Sequence, residues 1–303
     1  MKRSEKAGRL VLRPNHVELP AMTAPALTTC PSGTSQAQLQ AYSALLNGVF
    51  QSTKFSVEAL AWRYRDNPAG AVVGVDAWDG EKLAAHYVTC PVDARIDGKP
   101  VRGLLSLNTA THPDYQGQGL FTRLAQKAYD QGAATGHRFV IGVANANSTP
   151  GFLRKLAFQD VGPLHAGLLA RRPTRFSDAA IQYQGDWDAA HLAWRLANPE
   201  GRYVTARSGG LTGVWAKTHL PFIRCGAFLG EPGLSRPGLG PIATTLFIGL
   251  EPRLNLDGQG FLPIPERLRP SPLNLIWRSL GKGAPARLEP SAVALNFLDF
   301  DPY

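Results

Sequence analysis

Thr109-Ala110-Thr111-His112-Pro113-Asp114-Tyr115-Gln116-Gly117-Gln118-Gly119-Leu120-Phe121-Thr122-Arg123-Leu124 is the stretch whose reading decides the fold. Residues 101–111 read as a strand. After Gly119, apolar and small residues recur at helical spacing (Leu120, Leu124, Ala125, Ala128, Tyr129, Gly132), and Gly136 closes the helix. The run Phe139-Val140-Ile141-Gly142-Val143 then reads as a buried strand. Strand, helix and strand make a right-handed crossover, so the two strands are expected to be parallel. Glycine allows the close backbone approach and positive φ that such a turn needs. The first helical amides have no partner inside the helix, and the macrodipole favours negative charge there. Together these features suit a pyrophosphate. The backbone amides of Gln116, Gly117, Gln118, Gly119, Leu120, Phe121 and Thr122 are the expected donors. No Gly-Lys-Ser/Thr follows, which excludes a Walker A loop. A dinucleotide fingerprint is excluded too, because its third glycine and its later acidic residue are missing.

Upstream, strands are expected at 71–78 and 82–92. The turns Asp79-Gly80 and Asp97-Gly98 have the chemistry of antiparallel hairpins. Ser35 offers an N-cap to a helix over Gln36–Phe50, with apolar residues at Leu39, Tyr42, Leu45, Leu46 and Val49. A shorter helix over 56–65 stops before Asn67-Pro68, since proline disfavours the helical region in the residue before it. Residues 1–34, rich in Pro, Thr and Ser, read as an arm, with Val11-Leu12 able to add an edge strand. The expected class is therefore α/β (α+β): a mixed, mostly antiparallel sheet with one parallel βαβ crossover and flanking helices.

After Pro173 the pattern starts again. Ala61-Trp62-Arg63-Tyr64, followed by Asn67-Pro68 and Gly70, is echoed by Ala193-Trp194-Arg195-Leu196, followed by Asn198-Pro199 and Gly201. Both words end a helix and precede apolar strands, at 71–78 in the first case and at 202–207 and 211–217 in the second. A duplicated domain is expected, with a boundary near 171–177, which divides the chain into 1–34, 35–172 and 173–303. The second copy reads as degenerate. Asp257-Gly258-Gln259-Gly260-Phe261 resembles the first loop, but Pro263 and Pro265 forbid a helix directly after it. The segments 270–280 and 292–300 read as core elements of that copy. Asp299 and Asp301 are expected in a solvated chain end, with the border of an acceptor cleft as the other reading. Trp187, Trp194, Trp215 and Trp277 read as core.

The composition sets limits on function. The chain has 303 residues, 44% hydrophobic and 18% charged, which describes a globular protein with a sizeable core rather than disorder. No run is long enough for a membrane span, and Met1 to Leu12 has no apolar segment behind it that would make a secretory signal. Cys30, Cys90 and Cys225 are dispersed and odd in number, which argues against a disulfide framework or a zinc site and fits a reducing cytoplasm. The net charge of +9 favours anionic partners, but no Lys/Arg run of nucleic-acid type occurs.

The loop resembles the GNAT acetyltransferase superfamily, whose cofactor motif reads Arg/Gln-x-x-Gly-x-Gly/Ala. Gln116 to Gly119 match its first four positions, His112-Pro113-Asp114-Tyr115 resembles the turn before it, and Gly151-Phe-Leu-Arg-Lys-Leu-Ala-Phe158 resembles the family's later helix. The resemblance covers about residues 36–172. It implies acetyl-CoA as acyl donor, no metal, and a pantetheine arm inserted between two splayed strands. Backbone groups at Thr109, Ala110 and Thr111 and the Asn147 side chain would hold that arm. Attack by a primary amine would be direct, with no nucleophilic cysteine. Three positions depart from the family pattern: Phe121 where Gly or Ala is usual, Leu153 where many relatives carry a tyrosine acid, and Ala157 in place of Gly. No carboxylate lies on 101–111. His86, on the preceding strand, is the candidate general base, since imidazole titrates near about 6.5. His112 reads as a turn residue. The resemblance points to a small amine as acceptor, an amino sugar or its nucleotide-linked form first, with no nucleic acid or membrane partner. An acyl-CoA-binding sensor or scaffold without turnover is the alternative.

Overall fold

A computed structural model describes residues 27–230, 240–269 and 271–300. The first half contributes β1 (Thr28–Pro31), α1 (Gln36–Phe50), α2 (Val57–Tyr64), β2 (Val73–Asp79), β3 (Lys82–Ile96), β4 (Lys99–Thr111), α3 (Leu120–Ala134), β5 (Phe139–Ala144), α4 (Thr149–Lys155), β6 (Gln159–Pro163) and β7 (His165–Leu169). The second half adds β8 (Tyr183–Gly185), α5 (Ala189–Leu196), β9 (Tyr203–Ser208), β10 (Leu211–Lys217), β11 (Ile223–Leu229), β12 (Thr244–Leu250), β13 (Phe261–Pro263), β14 (Asn274–Ser279), β15 (Val293–Asn296) and α6 (Phe297–Phe300). Among the described residues these strands join into one 15-stranded, mostly antiparallel sheet. Part of the expected arm, 28–31, is thus a strand, because its backbone pairs with β2. The Val11-Leu12 reading lies outside the described residues, as does that of Asp301.

Local chemistry explains the elements. Ser35 and Gln38 form a reciprocal capping box at the start of α1, which buries Leu39, Tyr42, Leu45 and Leu46. Each such side chain contributes roughly 1.5–3 kcal/mol of burial. The Ser56 hydroxyl accepts from Ala59 N at 3.2 Å and caps α2. Asp97 (φ 48°) and Gly98 (φ 76°) take the paired positive φ of a tight hairpin turn between β3 and β4. α3 packs Leu120, Leu124, Ala125, Ala128 and Tyr129 onto the sheet.

β4 and β5 run parallel, as the crossover requires. They pair only at Leu104 with Val140, Leu105 with Ile141 and Ser106 with Gly142, and beyond that the strands separate. Two residues further along, β4 carries a bulge. His86 pairs with Ala110 and Val88 with Leu107, which leaves Asn108 and Thr109 opposite Tyr87 alone.

The two halves exchange strands across 171–177. β14, expected in the second half's own core, lies antiparallel between β5 and β6, with Leu275, Ile276 and Trp277 fully buried. β7 pairs instead with β12 and β13. The reason is edge satisfaction: β5 needs a partner on the side away from β4, and β14 brings an apolar run of the right length. The repeated words meet at the seam. The Trp62 and Trp194 rings stack at 4.6 Å and 16°, and each indole N–H donates to the other's backbone carbonyl, at 2.8 and 3.0 Å. Asn67 and Asn198 make the same turn, each accepting from the amide two residues on at 3.0 Å.

Trp62→Ala is expected to cost roughly 3–5 kcal/mol in chemical denaturation, whereas Phe222→Ser, at an 82% exposed position, should stay within about 0.5 kcal/mol. A loss below about 1 kcal/mol for Trp62→Ala would mean that the seam is held by something other than this stack.

Candidate active site

The loop between β4 and α3 is anchored at its base. The Tyr115 hydroxyl donates to Asp79 Oδ2 at 2.7 Å, and His112 Nδ1 accepts from Asp114 N at 3.3 Å, so His112 is a turn residue as expected. Gly117 and Gly119 adopt φ of 77° and 70°, and a Cβ at either would meet nothing. These glycines serve conformation and open access rather than tight packing. Gly119 is the N-cap of α3, with no side-chain cap and no acidic residue in the first turn. No described residue bonds the amides of Gly117, Gln118, Gly119, Leu120, Phe121 and Thr122, and this row of free donors sits at the positive end of the helix. Gln116 differs from expectation, because its N–H closes the preceding turn on Pro113 O at 3.2 Å.

Where β4 and β5 part, a cleft of about 340 Å³ opens, lined by Ser106, Asn108, Thr109, Phe121, Asn147 and Ile276 among others. Two of the expected arm-binding residues, Thr109 and Asn147, therefore face it. Ala110 and Thr111 are paired with His86 and Ala85 of β3, and the Ala110 side chain is buried. Asn147 is positioned by Asn145, whose Oδ1 accepts from Asn147 N at 3.1 Å and from Ser148 N at 3.0 Å. The Phe121 ring finds room because residue 151 is glycine: a Cβ there would lie 3.2 Å from it. The ring packs edge-on against Tyr87 and Phe152 and floors the cleft.

Leu153 packs into the core beneath α3 and brings no hydroxyl to the cleft. Ser106 does bring one. Its Oγ lies 2.9 Å from the Tyr87 hydroxyl, which in turn meets the Tyr129 hydroxyl. Burial pushes Tyr87 up to about 12, so the phenol remains protonated at neutral pH. Sequence reasoning missed this group, because its members come from three elements.

His86 does not face the cleft. It is fully buried, with Nδ1 2.7 Å from Asp76 Oδ1 and Nε2 3.3 Å from the Tyr64 hydroxyl. Its reading as a base in contact with an acceptor is corrected on this ground: the strand alternation turns it under α1 and α2, where Tyr42 stacks on it at 4.1 Å.

A second pocket of about 200 Å³ adjoins the cleft at Leu107 and Asn108. Both halves build it, through Phe55 and Arg63 on one side and Asn198, Glu200 and Phe300 on the other. Asp299 is not a solvated chain end. It accepts from Trp187 Nε1 at 2.9 Å and from Asn296 N at 2.7 Å in the seam. Among the described residues no helix is long and apolar enough to cross a membrane, and no cluster of His, Cys, Asp or Glu suits a metal.

Residues 32–159 match the family model described as an acetyltransferase (GNAT) domain. No curated protein sequence matches the chain. Among solved structures, a GCN5-related N-acetyltransferase from Anabaena variabilis is 12% identical with a TM-score of 0.56, covering 84% of this chain and 73% of that one. A conserved Enterococcus faecalis protein of unknown function, described as a candidate N-acyltransferase, is 9% identical with a TM-score of 0.55 and the same coverage. Saccharomyces cerevisiae N-myristoyltransferase, solved with bound myristoyl-CoA, is 10% identical with a TM-score of 0.53, covering 92% of this chain and 91% of that one. At these identities the structures speak for the fold. Residues 32–159 are thus similar to a GNAT acetyltransferase domain, and the fold of the described residues agrees with that similarity.

Burial pushes the Asp299 carboxyl up to about 6. The folded chain then holds its proton more tightly than the unfolded chain, whose carboxyl titrates near about 3.9. Its contribution to stability is present below about pH 4 and is lost as pH rises through about 6. Asp299→Asn is expected to flatten that segment of the stability curve in urea titrations, and an unchanged slope would show that another group sets it.

Proposed function

We propose that the protein is an acetyl-CoA-dependent N-acyltransferase that passes an acetyl group directly to the primary amine of a small molecule, with amino sugars and their nucleotide-linked forms as the leading acceptors. The observation that carries this reading is the continuity of three features. A row of free amides lies at the start of α3, whose Phe121 lines a cleft between parting parallel strands, and that cleft meets a second pocket at Asn108.

Acetyl-CoA, when bound, supplies the activated acetyl thioester. The amides of Gly117 to Thr122 and the α3 dipole hold its phosphates. The unpaired edges of β4 and β5 beyond Ser106 and Gly142 offer backbone partners to an extended arm, with Thr109 and Asn147 beside it. Ser106 Oγ, hydrogen-bonded to the protonated Tyr87, passes a proton to the departing thiolate as the attacking amine gives up its own to the same hydroxyl, which stands in for the tyrosine absent at Leu153. The pocket built by Arg63, Asn198 and Glu200 receives the acceptor. The free cysteines suit a reducing cytoplasm. The paired seam of the tryptophan words supports a tandem arrangement in which residues 173–303 are a degenerate second GNAT-like unit. A second reading, an acyl-CoA-binding sensor or scaffold, draws on Leu153 and on the sealed position of His86.

Calorimetry with acetyl-CoA is expected to show binding by the wild type and none by Gly119→Trp, where bulk and the positive φ close the loop. Binding together with thiol release on an amine panel supports transfer. Binding with no release across the panel supports the sensor, and no binding by the wild type removes both.

A further inference from the structure

A continuous polar chain lies under the β4 bulge. Asp76 is fully buried and accepts from the Ser32 hydroxyl at 2.7 Å and the Tyr42 hydroxyl at 2.6 Å, with His86 Nδ1 2.7 Å away. With Nδ1–H given to Asp76, His86 Nε2 is an acceptor, and the Tyr64 O–H is the donor that reaches it at 3.3 Å. The Tyr64 oxygen then accepts from Asn108 Nδ2 at 3.1 Å. Tyr42, Tyr64 and His86 are all fully buried, so water cannot substitute for the links among them and Asp76. Burial holds the Tyr64 phenol far above its ordinary range, which keeps its proton on oxygen.

This order has a consequence at the cleft. The Asn108 amide nitrogen is turned into the chain, which leaves its Oδ1 outside it, and Asn108 lines both pockets. Asn108 stands at φ 48°, in the left-handed region that asparagine tolerates better than most residues, and it has no ladder partner of its own. A buried polar chain costs desolvation that apolar residues would avoid, and its compensation is a single defined arrangement.

We infer that Asn108 orients the acceptor by accepting one N–H of its primary amine, and that Tyr64, His86 and Asp76 are positioning residues acting through it. With one N–H held by Oδ1, the nitrogen is placed where the two pockets meet. The inference rests on the acyl-transfer reading above.

The test combines Asn108→Gly, which keeps the positive φ, with Tyr64→Phe, which removes one hydroxyl, and the double variant. Acetyl-CoA affinity by calorimetry should stay within about two-fold for all three, which also shows that they fold. Asn108→Gly should lower kcat/KM for the amine by about 10²-fold, and Tyr64→Phe by about 10-fold. The double variant should be no worse than Asn108→Gly alone, since the residues act as one unit. Unchanged amine kinetics in Asn108→Gly, or losses that multiply in the double variant, overturn the inference while the acyl-transfer reading stands. Wild type that binds acetyl-CoA but turns over no amine removes both.

Discussion

Three ladder pairs between β4 and β5 are the constraint on which the site depends. Parallel strands that begin together and then part leave backbone N–H and C=O groups facing each other across a gap too wide to bridge. Such groups are costly to leave unpartnered, so a split sheet is stable only if water or an extended ligand completes it. The bulge at Asn108 and Thr109 adds to the effect, since the extra residue bends β4 away and removes two positions from its other ladder. The glycine loop lies at the end of the same strand, so the free amides and the split are fixed relative to each other by β4 itself.

The split can persist because the rest of the sheet is clamped. β14 closes the far side of β5, Trp277 stacks on Phe139 at 4.6 Å, and Arg278 lies 4.8 Å from the Tyr129 ring. That strand comes from the second half, and β7 is given in return. Neither half is therefore complete alone. The tryptophan pair at the seam adds two hydrogen bonds to burial, and each bond satisfies an indole that would otherwise lie unpaired at a half-apolar interface.

Local signals were legible in the sequence wherever a single element carries them. Ser35 and Gln38 mark the start of α1, the Asp-Gly turns mark the hairpins, and the Gly117 and Gly119 loop marks the parallel crossover, because caps, turns and amphipathic faces are set by residues a few positions apart. The loop amides followed from the same kind of signal, whereas Thr109 and Asn147 entered through the family resemblance of the loop and the later helix. What depends on distant pairing was not legible. The apolar run of β14 fits any sheet of suitable depth, and nothing in Asn274 to Ser279 names β5 as its partner. The repeat of Ala-Trp-Arg was visible in the sequence, but not that the two tryptophans stack on each other. His86 illustrates the limit most sharply. Alternation along β3 puts every second side chain on one face, but which face opens to a cleft is decided by where α1 and α2 pack.

The second half offers a comparison in strand plan. β11 and β12 are also parallel and also pair at only three positions, from Ile223 with Thr244 to Cys225 with Leu246. A cavity of about 180 Å³ lies beside their separated ends, but its wall is formed by a bidentate pair, Glu251 with Arg253 at 2.7 Å, together with Asn296 and Asp299. Internal polar partners there do part of what a ligand would have to do in the first cleft. The strand plan alone thus does not make a cofactor site. A split between parallel strands becomes one only when a glycine turn and a helix start aim free amides into it, and among the described residues that combination occurs between β4 and α3.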